Sequence, residues 1–95
     1  MRFLTCVKSE LEENQMEHIP NIDMIRTGQN IIRLREENHM SVKDLQDIFG
    51  FTTPQAIYKW QQGATLPSID NLVMLAKVFQ VHIEDILVTD EDAAV

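Results

Sequence analysis

Apolar residues recur at helical spacing from Met24 and Ile25 through Ile31, Ile32 and Leu34, with Asp23 placed to cap the run and Asn38-His39 to end it. A second run begins at Ser41. Asp44 stands three residues on, as in a capping box, and Val42, Leu45, Ile48 and Phe49 fall on one face before Gly50 terminates the run. After Gly50-Phe51-Thr52 comes Thr53-Pro54, which reads as N-cap and first helical position, because proline's missing N–H is lost there without penalty. This third helix extends to about Gln62 and stops at Gly63. Pro67-Ser68 restarts the pattern with Ile69, Leu72, Val73, Ala76 and Phe79 at intervals of three and four. A final short helix runs from His82 to about Leu87 and is expected to bury Ile83, Ile86 and Leu87. No strand, repeat or low-complexity stretch interrupts the five-helix reading.

Only three glycines and three prolines occur, and Gly28 alone lies inside a periodic run. A glycine there costs about 1 kcal/mol relative to alanine, which points to a place where another helix approaches the backbone closely. Residues 1–22 carry Glu10, Glu12, Glu13 and Glu17 with weak periodicity and end at Pro20-Asn21, so they read as an extension to a body of residues 23–88, with 89–95 an acidic tail. The extension has two readings. Glu12-Glu13 can be encoded by the purine-rich GAG-GAG of a ribosome-binding pattern with Met16 following, which makes Met16 a candidate start and residues 1–15 a gene-calling artefact. The other reading is an added segment, disordered or docking as a helix on the body or on a partner.

At 95 residues the chain fits one domain, and 44% hydrophobic residues suffice for a core. One cysteine, Cys6, excludes an internal disulfide or a CxxC pair, which suits a reducing, cytoplasmic setting. No apolar run is long enough to span a bilayer, and the first residues do not form a secretion signal. His18, His39 and His82 lack ligand spacing, so no metal site is expected. Cys6 has no histidine near it to activate it and no serine sits in a nucleophile-elbow motif, so neither an enzyme nor a cofactor is expected.

The informative feature lies between residues 41 and 63: two helices joined through a glycine-containing turn, the helix-turn-helix arrangement. At about 100° per residue, a projection of the third helix puts Ile57 and Trp60 on one side with Gln61 and Pro54 beside them. Gln55, Lys59 and Gln62 point the opposite way, with Tyr58 at the edge and Thr53 at the leading end. Glutamine can pair bidentately with adenine, lysine reaches guanine or phosphate, and tyrosine and threonine hydroxyls suit phosphate oxygens.

In the order and spacing of its segments, the chain from residue 25 to residue 87 resembles the XRE family, the Cro and phage-repressor type of helix-turn-helix. The matching pieces are G-Q-N-I-I-R-L-R-E-E-N (Gly28 to Asn38), S-V-K-D-L-Q-D-I-F-G (Ser41 to Gly50), W-Q-Q-G (Trp60 to Gly63) and the segment from Leu66 to Leu87. The resemblance implies an all-α, lambda-repressor-like domain of five helices that binds double-stranded operator DNA, usually as a homodimer, with the third helix reading bases. Four departures stand out. The family usually has a small residue where this chain has Gln46, and one residue fewer between Gly50 and Ile57. The family's W-E-x-G glutamate, which commonly pairs with the arginine matching Arg35, is Gln61 here, so Arg35 is expected to reach the Gln61 side-chain oxygen in a charge-assisted bond. The family's phosphate-contacting glutamine near the start of the second helix is Val42. That contact would come from Ser41, Lys43 or the backbone at that helix N-terminus.

The DNA-contact candidates are therefore Ser41, Lys43, Thr53, Gln55, Tyr58, Lys59 and Gln62. Trp60 and Ile57 read as core, and Arg26, Arg33 and Lys77 as plain surface charges. The competing reading is an antitoxin-like protein-interaction module whose acidic ends bind a basic partner. Leu87-Val88 and the exposed edge of the fifth helix are the candidate dimer surface.

Fifteen acidic residues against eight basic ones give a formal charge of -7, which taken whole argues against nucleic acid. Its distribution reverses that. Five of the seven excess negative charges lie outside residues 23–88, and between Asp47 and Asp70 the only charge is Lys59.

Overall fold

The computed structural model describes residues 21–90; Cys6, Met16 and His18, the readings of the extension up to residue 20, and most of the acidic tail lie outside the described residues. Among the described residues five helices follow one another: α1 (Met24–Glu37), α2 (Val42–Phe49), α3 (Gln55–Gln62), α4 (Ile69–Phe79) and α5 (Ile83–Ile86). The fold is all-α. Among the described residues the only β-type pairing is an isolated antiparallel bridge between Ile22 and Thr89.

Four of the five helices begin where a short polar side chain or proline offers a start, and at α5 Asp85 accepts the His82 N–H at 2.9 Å. Asp23 accepts the Arg26 N–H, and Ser68 accepts the Asn71 N–H. Ser41 and Asp44 close a reciprocal box at α2, with Ser41 Oγ accepting Asp44 N–H at 3.0 Å and Asp44 accepting Ser41 N–H at 2.8 Å. The start of α3 differs from the expected one. Pro54 rather than Thr53 occupies the cap position, the first hydrogen bond runs from Tyr58 N–H to the Pro54 carbonyl, and Thr53 makes no capping bond. The helix thus begins one residue later than the sequence pattern predicts.

All five helices supply the core: Ile31 and Leu34 from α1, Leu45 from α2, Ile57 and Trp60 from α3, Leu72, Leu75 and Phe79 from α4, and Ile86 from α5. Two expected core stripes are corrected. Ile48 of α2 is 42% exposed, leaving Leu45 as that helix's buried anchor with Val42 and Phe49 packed partly against the core. On α4, Ile69 is 76% and Val73 51% exposed, while Leu75 is fully buried. Eight of the eleven α4 residues are apolar, so spacing alone admits several stripes. The packing partners selected the one through Leu72, Leu75 and Phe79.

Gly28 is where α3 meets α1. A Cβ there would lie 2.6 Å from the Gln61 carbonyl oxygen and closer still to that of Trp60, so only glycine lets the C-terminal turn of α3 approach the α1 backbone. The two ends of the described chain also meet beside α1. Asp23 N–H donates to the Val88 carbonyl at 2.7 Å, and Val88 N–H donates to Thr27 Oγ1, a buried hydroxyl, at 2.9 Å. Asn30 Nδ2 donates to the Asp85 and Ile86 carbonyls at 2.7 and 3.0 Å, satisfying the C-terminus of α5 from the side of α1. Arg33 steadies that amide by donating to Asn30 Oδ1 while pairing with Glu37 at 2.9 Å.

Candidate nucleic-acid interface

The exposed side of α3 follows from its buried side. Ile57 and Trp60 are inserted into the core, which turns Gln55, Tyr58, Lys59 and Gln62 outward at spacings of three and four on one helical face. Tyr58 is 45% exposed despite its ring. Thr53, Gln55 and Lys59 line one open hollow of about 470 Å³ together with Phe51, Thr52, Ala56 and Thr65. Lys59 makes no ion pair among the described residues, and no acidic side chain stands in the segment from Ile48 to Ile69. The surface is thus polar and cationic with several side-chain donors, the chemistry suited to groove edges and phosphates.

The candidates at the start of α2 stand apart from this group. Ser41 is committed to its capping box, and Lys43 pairs with Asp47 at 3.1 Å in an exposed contact, a kind worth little and readily exchanged for another anion.

Three features anchor α3. Gly63, the α3 C-cap, packs on Ile25 of α1. Arg35 donates from Nε to Gln61 Oε1 at 3.1 Å and from Nη1 to the Met40 carbonyl at 2.8 Å, tying α3 and the α1–α2 connection to one guanidinium. Phe49, Phe51 and Trp60 form an aromatic trio with centroid separations of 5.4, 5.7 and 5.9 Å.

Sequence reasoning missed Thr52 and Thr65 in the hollow. They carry no motif and come beside Gln55 and Lys59 only through the turns at the two ends of α3. It also noted Gln46 as a departure without assigning it a partner. In the structure Gln46 Nε2 donates to the Phe51 carbonyl at 3.2 Å.

Among the described residues no group of histidine, cysteine or carboxylate side chains could hold a metal ion, and no helix is long and apolar enough to cross a membrane. No curated protein and no solved structure matches the chain significantly. Residues 31–86, from the middle of α1 to the end of α5, match the helix-turn-helix family. That match covers more than half of the chain and spans the α2–turn–α3 unit with its supporting helices, so the chain belongs to the XRE/Cro-type helix-turn-helix family of DNA-binding regulators.

Proposed function

We propose that the chain is a sequence-specific transcriptional regulator that reads the major groove with α3 and represses by occupying its site. The observation that carries this reading is the outward stripe of Gln55, Tyr58, Lys59 and Gln62 on a helix whose other face is locked into the core. Gln55 and Gln62 supply amides for adenine edges, while Lys59, Tyr58 and Thr53 supply donors for guanine or phosphate. Ser41 and Lys43 at the start of α2 are the backbone-contact candidates. With one cation in the segment from Ile48 to Ile69, a single copy has little electrostatic affinity. A homodimer that sets two α3 helices into successive major grooves of a near-palindromic site makes up the difference. Selection of bound duplexes from a random pool at moderate salt tests the reading. Enrichment of a two-fold-related motif supports it, and recovery of no motif overturns it.

For the dimer surface, α4 is favoured over Leu87-Val88. Leu87 packs partly against the core, and both backbone polar groups of Val88 are spent within the chain. Ile69 and Val73, one turn apart, are each more than half exposed. The same two residues favour the second reading, a protein-interaction module, in which they meet a different chain. The duplex selection separates the two.

A further inference from the structure

Gln46 holds one residue of the turn from two directions. Its backbone carbonyl accepts the Phe51 N–H at 3.0 Å, and its side-chain Nε2 donates to the Phe51 carbonyl at 3.2 Å. The first bond is the wrap-around bond of a helix ending in a left-handed residue, here Gly50 at φ 72°. The second is particular to a side chain of glutamine's length at this position. Together they grip Phe51 at its N–H and its C=O, as a neighbouring strand would.

Phe51 in turn packs between α2 and α3 in the connection that joins them. Its ring lies 5.4 Å from that of Phe49 on α2 and 5.9 Å from that of Trp60 on α3. The next residues, Thr52 and Thr53, are exposed and lead directly to Pro54 and the start of α3. Phe51, Thr52, Thr53, Gln55 and Lys59 all line the hollow. Residues 52–54 have no backbone bond to α2, so the placement of the leading end of α3 relative to α2 depends on how firmly Phe51 is held.

We propose that Gln46 is a positioning residue for DNA recognition: by clamping Phe51 it sets the height and angle at which Thr53, Gln55 and Lys59 meet the groove. It touches no base itself. The inference rests on the reading of α3 as the base-reading helix and adds to it the element that aims that helix. Direct base contacts need placement to within about half an ångström, whereas phosphate attraction tolerates looser geometry. A loosened clamp therefore lowers discrimination before it lowers general affinity.

The test is Gln46→Met, which keeps the length and volume of the side chain and removes the donor. Binding of the full chain is measured against its selected duplex and against an unrelated duplex at one salt concentration, with Lys59→Ala as the contrasting variant. Amide exchange at Phe51, whose N–H is bonded to the Gln46 carbonyl, is followed in the free protein. The expected result is a loss of about tenfold on the selected duplex, a change of less than about twofold on the unrelated one, and several-fold faster exchange at the Phe51 amide. Lys59→Ala weakens both duplexes together. Equal losses on both duplexes for Gln46→Met, or no loss on either, would overturn the proposal. So would unchanged amide exchange, which reports on the clamp whether or not DNA is bound. If the unsubstituted chain shows no preference between duplexes, the proposal falls with the reading of α3. Faster exchange in the variant would then show that the clamp exists and that the failure lies in that reading.

Discussion

Arg35 on α1 and Gln61 on α3 are joined by a 3.1 Å bond from Nε to Oε1, in a part-buried position where the guanidinium also holds the Met40 carbonyl. The acceptor is a neutral amide, so the bond has charge on one side only. Replacing it by a carboxylate of the same length puts a full negative charge opposite the guanidinium and adds Coulombic attraction to a bond that is already charge-assisted on one side. Gln61→Glu is therefore expected to raise stability by about 1 kcal/mol at neutral pH and low salt, with Tm rising by a few degrees in a domain of this size. Thermal unfolding at two salt concentrations checks it. An unchanged Tm would show that the two groups are not energetically coupled.

At Gly28 the usual gain from placing alanine in a helix is reversed. The propensity term favours alanine by about 1 kcal/mol, but the methyl group would overlap the Trp60 and Gln61 carbonyls, and backbone atoms cannot swing aside. Overpacking of this kind costs about 1–3 kcal/mol and occasionally more. A fall in Tm on Gly28→Ala is the expected outcome, measured by circular dichroism; a rise would contradict the close approach of α3 to α1.

Asn30 and Thr27 fasten the far end of the chain to α1. Asn30→Ala removes both donors to the α5 carbonyls, and Thr27→Val leaves the Val88 N–H without its acceptor. Each is expected to cost about 1–3 kcal/mol. Hydrogen exchange should quicken first in α5 and at residues 87–90, while α3 stays protected. Uniform acceleration through all helices would show instead that these bonds serve the whole core.

Lys59 is the single cation on the outward face of α3. Lys59→Ala is expected to weaken binding to every duplex and to reduce the slope of log K against log salt by about 1 for each subunit bound. Titrations from low to moderate salt measure this. A loss confined to one sequence would move Lys59 from phosphate contact to base contact.

Ile69 and Val73 of α4 are each more than half exposed. Val73→Lys should leave the monomer's stability within about 0.5 kcal/mol of the original, as exposed substitutions do, while shifting sedimentation toward the monomer and weakening operator binding. Unaltered self-association would exclude α4 from the dimer contact.

Local chemistry alone determined much of this molecule. Ser41 with Asp44, Asp23, Ser68 and the glycines at 50 and 63 declare helix ends through donors and acceptors a few residues apart, so they can be read from order along the chain. Ile57 and Trp60 likewise declare the inner face of α3, and with it the outward stripe of Gln55, Tyr58, Lys59 and Gln62. Tertiary structure decided what local order leaves degenerate. With eight apolar residues in α4, several stripes satisfy the same period, and only the shape of the surrounding helices chose Leu75 over Ile69 and Val73. The clamp of Gln46 on Phe51 and the grip of Asn30 on α5 were equally hidden. Each depends on where a carbonyl comes to lie after the chain has turned back, five residues away in one case and fifty-five in the other, and hydrophobic periodicity carries no information about that.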